Sequence, residues 1–117
     1  MTIDTLSREY GSHPKDLIVG MGPAIRGCCY EVGEDCILPF TKMDSGKSGI
    51  VKITNEKKLF LDLPEANRRE GCEAGVLNSN IYADGPCTFC ENQRWYSYRK
   101  EGNTGRLITM TMLRPRN

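Results

Sequence analysis

Apolar positions near the amino end fall at Ile3, Leu6 and Tyr10, the spacing of one helical face, and Gly11 follows as a stop. This predicts an amphipathic helix over the first ten residues. The period then changes. Asp16-Leu-Ile-Val-Gly-Met21 is a short apolar run between Pro14 and Gly22-Pro23, which suits a buried strand leading into a loop. That loop lies at the strand's carboxyl end, where α/β and related folds often place sites.

Further along, Gly33 to Lys42 reads as a short helix ended near Pro39. Met43 to Lys58 reads as a Ser/Gly/Lys-rich connection, with a strand at Gly49-Ile-Val-Lys-Ile-Thr54. Lys58-Leu-Phe-Leu-Asp62 predicts another strand. Asp62 is placed to cap a helix with Pro64 and Glu65 in its first turn and a stop at Gly75. Ala66, Arg69, Cys72 and Glu73 make only a weak apolar stripe, so this helix is expected to be partly exposed. Asn80 to Asp84 predicts a strand and Gly85 to Asn92 a loop. Arg106-Leu-Ile-Thr-Met-Thr-Met-Leu113 predicts a final strand of strong β character.

A chain of 117 residues fits one domain, and folding would remove roughly two-thirds of its unfolded surface from water. With 16 Lys+Arg against 15 Asp+Glu, the charge of +1 gives no general attraction to nucleic acid or anionic membrane. No stretch approaches the length of an apolar membrane span, and MTIDTLSREYG lacks the basic start and apolar middle of a secretory signal, so a cytoplasmic protein is expected. In that compartment the six cysteines, at 28, 29, 36, 72, 87 and 90, are expected to be reduced thiols.

The candidate chemistry lies in two cysteine motifs and one aromatic-basic segment. Cys87-Thr-Phe-Cys90 has the spacing that lets both sulfurs reach one zinc ion or form a redox disulfide. A structural zinc needs a second pair, and the adjacent Cys28 and Cys29 do not match the usual hairpin, so thiols packing a loop are the favoured expectation. A four-cysteine zinc module stands as the less favoured reading. His13, the single histidine, lies in a loop and is read as solvated. Asp62, Glu65 and Asp84 are possible acids or bases, but capping explains the first two. The stretch Arg94 to Arg106 interleaves Trp95, Tyr96 and Tyr98 with arginines, which could stack on a base and hold a phosphate. The alternative is that the aromatics are core or rim and the arginines pair with acids.

GPAIRGCCYEVGED, then LDLPEANRREGCEAGVLNSNIYADGPCTFC and RWYSYRKEGNTGR, in one order from about Thr2 to Leu113, resemble the C-terminal part of the bacterial polyphenol oxidase family. Its members are also called laccase-domain proteins and are regarded as purine nucleoside phosphorylases with adenosine deaminase activity. The resemblance implies an α+β fold of mixed β-sheets flanked by helices, similar to the cytotoxic necrotizing factor deamidase fold, of which residues 1–117 are a single, incomplete C-terminal half. It also implies zinc, or on older accounts copper, held in the complete fold by two histidines and one cysteine in motifs resembling DC and HAGWRG. Neither motif occurs in this sequence, Met1 falls where the helix after HAGWRG would run, and no metal is expected from this chain alone.

By the same resemblance Cys28 and Cys29 match the family's double cysteine, which is not its metal ligand. One thiol is expected to pack inward and the other to face the cleft beside Tyr30. Cys29, Tyr30, Arg99 and Arg106 are the expected substrate-binding residues, the arginines as holders of phosphate, and no catalytic residue is assigned in this half. The implied partners are a purine nucleoside and phosphate, with association with itself or with a complementary half. The alternative is an inactive or partner-dependent fragment.

Overall fold

The computed structural model describes residues 2–40 and 49–115. Helix α1, Thr2–Tyr10, carries Asp4 in its first turn and Arg8 in its last, charges that complement the helix dipole. It stops where predicted: Gly11 has φ +68, a conformation that costs a residue with a Cβ, and its N–H bonds Ser7 O at 3.1 Å.

Two small sheets follow. Strand β1, Val19–Gly20, pairs in parallel with β5, Ile81–Tyr82, and Met21 N–H extends the ladder to Tyr82 O at 2.9 Å. The expected run from Asp16 to Met21 is thus shortened to two residues. Pro14 starts a tight 3-10 turn that takes in Asp16, and the chain leaves the ladder at Gly22-Pro23, where proline has no N–H to donate. The second sheet is antiparallel, ordered β2 (Glu31–Val32), β4 (Leu59–Leu61), β3 (Val51–Ile53). Its register sets Glu31 opposite Phe60 and Val51 opposite Leu61.

Helix α2 is only Glu34–Ile37 and passes into a 3-10 turn, Leu38–Phe40, since Pro39 cannot donate to a fourth-residue carbonyl. The expected continuation to Lys42, and residues 43–48 of the connection, lie outside the described residues. Helix α3, Leu63–Glu73, forms as its caps predict: the Asp62 carboxylate accepts Glu65 N–H at 3.1 Å, Pro64 sits in the first turn, and Gly75 ends the helix at φ +101.

Helix α3 links the two cores. Ala66 joins Ile50 and Leu61 in a cluster supported by Tyr30, Val32 and Phe40, while Cys72 packs on a second cluster of Val76, Ile81 and Ala83. Its weak apolar stripe works because Ala66 and Gly71 are small enough to be buried by close approach. Ile3 of α1 and Val19 of β1 close the second cluster.

One expectation fails. Residues 106–113 form no strand: the segment runs without ladder partners, and Ile108, Met110, Met112 and Leu113 are each more than four-fifths exposed. Its β character is real in composition, but a strand exists only when a neighbour supplies the other half of its hydrogen bonds. A short helix not anticipated, α4 at Tyr98–Glu101, instead follows Ser97, whose buried hydroxyl accepts Lys100 N–H at 3.4 Å. No helix among the described residues is long and apolar enough to cross a membrane.

Candidate functional site

The parallel pairing of β1 with β5 is what builds the site, because it sends two cysteine loops out of the same end of one sheet. Past the strands, Ala24 bridges to Cys87, and Thr88 N–H bonds Ala24 O at 3.1 Å. Residues 27–29 then turn back, with the N–H groups of Cys29 and Tyr30 both on Arg26 O at 3.0 Å. Residues 88–90 form the matching turn, and Glu91 N–H reaches Cys87 O at 3.0 Å. Gly27 is required here: a Cβ would lie 2.9 Å from Asp62 Cβ, so the turn sits directly on the cap of α3.

These turns gather Cys28, Cys29, Cys87 and Cys90, whose sulfurs all lie within 4.8 Å of one another. Cys90 Sγ is 3.2 Å from Cys29 Sγ and 3.6 Å from Cys28 Sγ. All six cysteines of the chain are free thiols. Cys87 is buried and Cys29 half-buried, while Cys28 and Cys90 are exposed. The thiols therefore do not simply fill a loop. They meet at its surface, and adjacent cysteines contribute together because the turn at 27–29 points both into one space.

The four sulfurs differ electrostatically. Burial opposes ionisation of Cys87, but backbone N–H groups of Cys90, Arg26 and Phe89, with the Cys28 thiol, outweigh it and bring this thiol down to about 7. Burial pushes Cys29 above the usual thiol range, with Cys90, Cys28 and the negative charge of Cys87 adding to it. Burial also raises Cys28, against the opposing hydrogen bond from Cys29. Of these thiols Cys87 is the one whose surroundings favour the thiolate.

Two cations stand on the backbone of the segments that carry these thiols. The Arg26 guanidinium is held by Ala83 O at 2.5 Å and Gly85 O at 3.1 Å, and its backbone N–H points at Cys87 Sγ at 3.5 Å. Lys100 Nζ lies 3.5 Å from Phe89 O and 5.0 Å from the centre of the Phe89 ring. Beside the turns opens a cleft of about 400 Å³ lined by Arg26, Cys28, Lys52, Phe60 and Asp62.

Of the four residues expected at a substrate site, three stand close in sequence or space. Arg99 of α4 lies over the Tyr30 ring at 5.0 Å and donates to Glu31 O at 3.0 Å, next to Cys29. Arg106 stands over the Tyr98 ring instead, at 5.9 Å. Within the double cysteine, Cys28 lines the cleft while the Cys29 sulfur faces Cys90. Tyr96 and Tyr98 are exposed, Trp95 is half-buried, and Arg94 pairs with Glu91 at 3.5 Å. The carboxylates do not converge: Asp62 caps α3, Glu65 binds Arg68 and Arg69, and Asp84 is exposed.

Sequence reasoning gave the two cysteine motifs but kept them apart, and it missed Arg26. The one available signal was that each motif follows a predicted strand, which matters only if those strands are neighbours. A centre of two histidines and one cysteine does not fit these residues. His13 is exposed on its loop, and among the described residues the four thiols are the only close group of three or more His, Cys, Asp or Glu donors.

A parallel pair and an antiparallel sheet bridged by one helix, with cysteine loops at the strand ends, define a mixed α/β protein. The solved structure of YlmD from Geobacillus stearothermophilus has this fold: TM-score 0.76 at 32% identity, over 88% of this chain and 38% of that one. The family model for multi-copper polyphenol oxidoreductase laccase matches residues 1–114, and the chain belongs to that family. Among curated relatives, it is 39% identical over 99 residues to purine nucleoside phosphorylase YlmD of G. stearothermophilus, covering 81% of this chain and 35% of the relative. It is 37% identical over 92 residues to adenosine deaminase RL5 of an unknown prokaryote, covering 76% and 35%. The chain thus spans little more than a third of the length of these relatives.

Proposed function

We propose that this chain is the C-terminal half of a cytoplasmic purine nucleoside phosphorylase that also deaminates adenosine, in a complete fold similar to the cytotoxic necrotizing factor deamidase. The observation that carries the reading is the 39% identity to a relative named purine nucleoside phosphorylase, sustained across 81% of the chain. In phosphorolysis a phosphate oxygen attacks the ribose anomeric carbon, the bond to the purine nitrogen breaks, and the base leaves with a proton as ribose 1-phosphate forms. The part assigned to this half is substrate binding.

Arg99 and Arg106 hold the phosphate. Each is an exposed residue whose guanidinium lies over a tyrosine ring, and a guanidinium carries the donors that an oxyanion needs. Tyr30 and Cys29 form the adjoining wall. The two-histidine, one-cysteine metal centre, where the complete fold contains it, draws its ligands from outside the described residues.

The second reading, a catalytically inactive or partner-dependent fragment, is supported by the exposed apolar segment at Ile108, Met110, Met112 and Leu113. One assay separates the two. Inosine phosphorolysis is measured for the 117-residue chain, and for the same chain joined to the amino-terminal part of the G. stearothermophilus relative, with phosphate and zinc present. Turnover in the joined protein alone supports the half-enzyme reading. Turnover in neither, with the joined protein folded, overturns the phosphorylase assignment.

A further inference from the structure

The four-thiol cluster has a geometry that neither loop packing nor a disulfide explains. A disulfide joins two sulfurs at about 2.05 Å. Here Cys90 approaches Cys29 at 3.2 Å and Cys28 at 3.6 Å together, and Cys87 completes a group spanning no more than 4.8 Å. A tetrahedral zinc ion with bonds of about 2.3 Å sets its sulfurs about 3.8 Å apart, inside the range these four occupy. The sulfurs come from two turns 61 residues apart, each fixed by its own backbone hydrogen bonds, so the arrangement is built by the fold.

We propose that Cys28, Cys29, Cys87 and Cys90 bind one zinc ion as a closed four-thiolate site that clamps the two turns together beyond the β1–β5 pair. Three features suit that ligand. Four cysteine sulfurs in a tetrahedral set select a soft divalent ion of the zinc type. The backbone N–H of Arg26 points at the Cys87 sulfur at 3.5 Å, a donor that supports a metal-bound thiolate. The surplus negative charge of four thiolates around a divalent cation has cations on the same loops to offset it, Arg26, whose guanidinium is fixed on Ala83 O and Gly85 O, and Lys100 over Phe89. Binding releases the remaining thiol protons to solvent and changes no oxidation state. With no open position the ion is structural, and the site stands whether or not the nucleoside reading does.

The test titrates the reduced full chain with cobalt(II) chloride and then with zinc sulfate. The expected result is saturation at about one equivalent, with the intense visible bands of tetrahedral cobalt and sulfur-to-metal charge transfer, both removed by zinc. The Cys36→Ser/Cys72→Ser variant keeps the full signal. Cys90→Ala weakens binding beyond the about 10- to 100-fold that loss of an outer-shell partner costs at metal sites. Cys90→His restores uptake with a spectrum shifted toward three sulfurs and one nitrogen, which guards against a variant that merely fails to fold. A wild-type chain giving no charge-transfer band would overturn the proposal, as would an unchanged spectrum in Cys90→Ala. So would iron rather than zinc in the protein as purified, or a Cys29–Cys90 disulfide in its unreduced mass spectrum.

Discussion

Gly27→Ala is the substitution that most directly probes how the cysteine turn is seated. The added Cβ would lie 2.9 Å from Asp62 Cβ and 3.3 Å from its Cγ and Oδ2. These are backbone-proximal atoms of the residue that caps α3, so they cannot swing aside as the end of a long side chain can. Either the turn lifts from the helix or Asp62 moves and its bond to Glu65 N–H is lost. Overpacking of this kind costs about 1–3 kcal/mol, and loss of the cap adds about 1 kcal/mol. Unfolding in urea, followed by circular dichroism on the chain and its variants, measures the change.

The mechanism also fixes a rescue. Asp62→Gly removes the clashing Cβ and, because glycine is a tolerable cap, costs only a few tenths of a kcal/mol by itself. Gly27→Ala combined with Asp62→Gly is therefore expected to recover most of the loss, a coupling of about 1–3 kcal/mol. Gly20→Ala, where no atom lies within 4 Å of an added Cβ and φ is not positive, serves as the neutral control. Additive costs in the double variant, or a Gly27→Ala stability within about 0.5 kcal/mol of the parent, would refute the close seating of turn on helix.

Gly75→Ala should lose about 1–2 kcal/mol in the same unfolding assay, since its φ of +101 disfavours any Cβ and the new methyl would also meet Pro14 at 3.0 Å. Glu65 gives a pH signature: hydrogen bonds from Arg68, opposed by burial and joined by Arg69, hold its carboxyl below the ordinary range. A depressed folded value contributes stability that is present above the unfolded value of about 4.3 and is lost as pH falls through the folded one, so Glu65→Gln should flatten that part of an acid titration of stability. In the joined enzyme, Arg99→Ala and Arg106→Ala should each lower kcat/KM for phosphate about 10- to 100-fold, the worth of a charged hydrogen bond, with Arg94→Ala near parental. Equal effects on phosphate and on nucleoside KM would instead assign these arginines to general positioning.

What could be read along the chain was whatever is decided within a few residues. Gly11 and Gly75 end helices because a positive φ is a local demand, and Asp62 with Pro64 starts α3 because a cap needs only its own turn. The strands at β3, β4 and β5 were found for a similar reason, each being a short apolar run between breakers. The unforeseen helix α4 rests on one buried serine cap in a segment whose aromatics had suggested burial or stacking.

The remainder depends on what lies across a sheet. Residues 106–113 have the composition of a strand, yet pairing is a property of two segments, and among the described residues no second strand pairs with them. Cys28-Cys29 and Cys87-Thr-Phe-Cys90 are visible as motifs, and adjacency within the first argued against a shared ligand. Only the parallel register of Val19 with Ile81, carried on to Ala24 with Cys87, turns both loops out at one end and brings four sulfurs within 4.8 Å. The sequence by itself determined the limits of α1 and α3, the family and the thiols available. The tertiary structure decided which thiols meet, because side-chain chemistry is written residue by residue while proximity is set by strand pairing over 61 residues of separation.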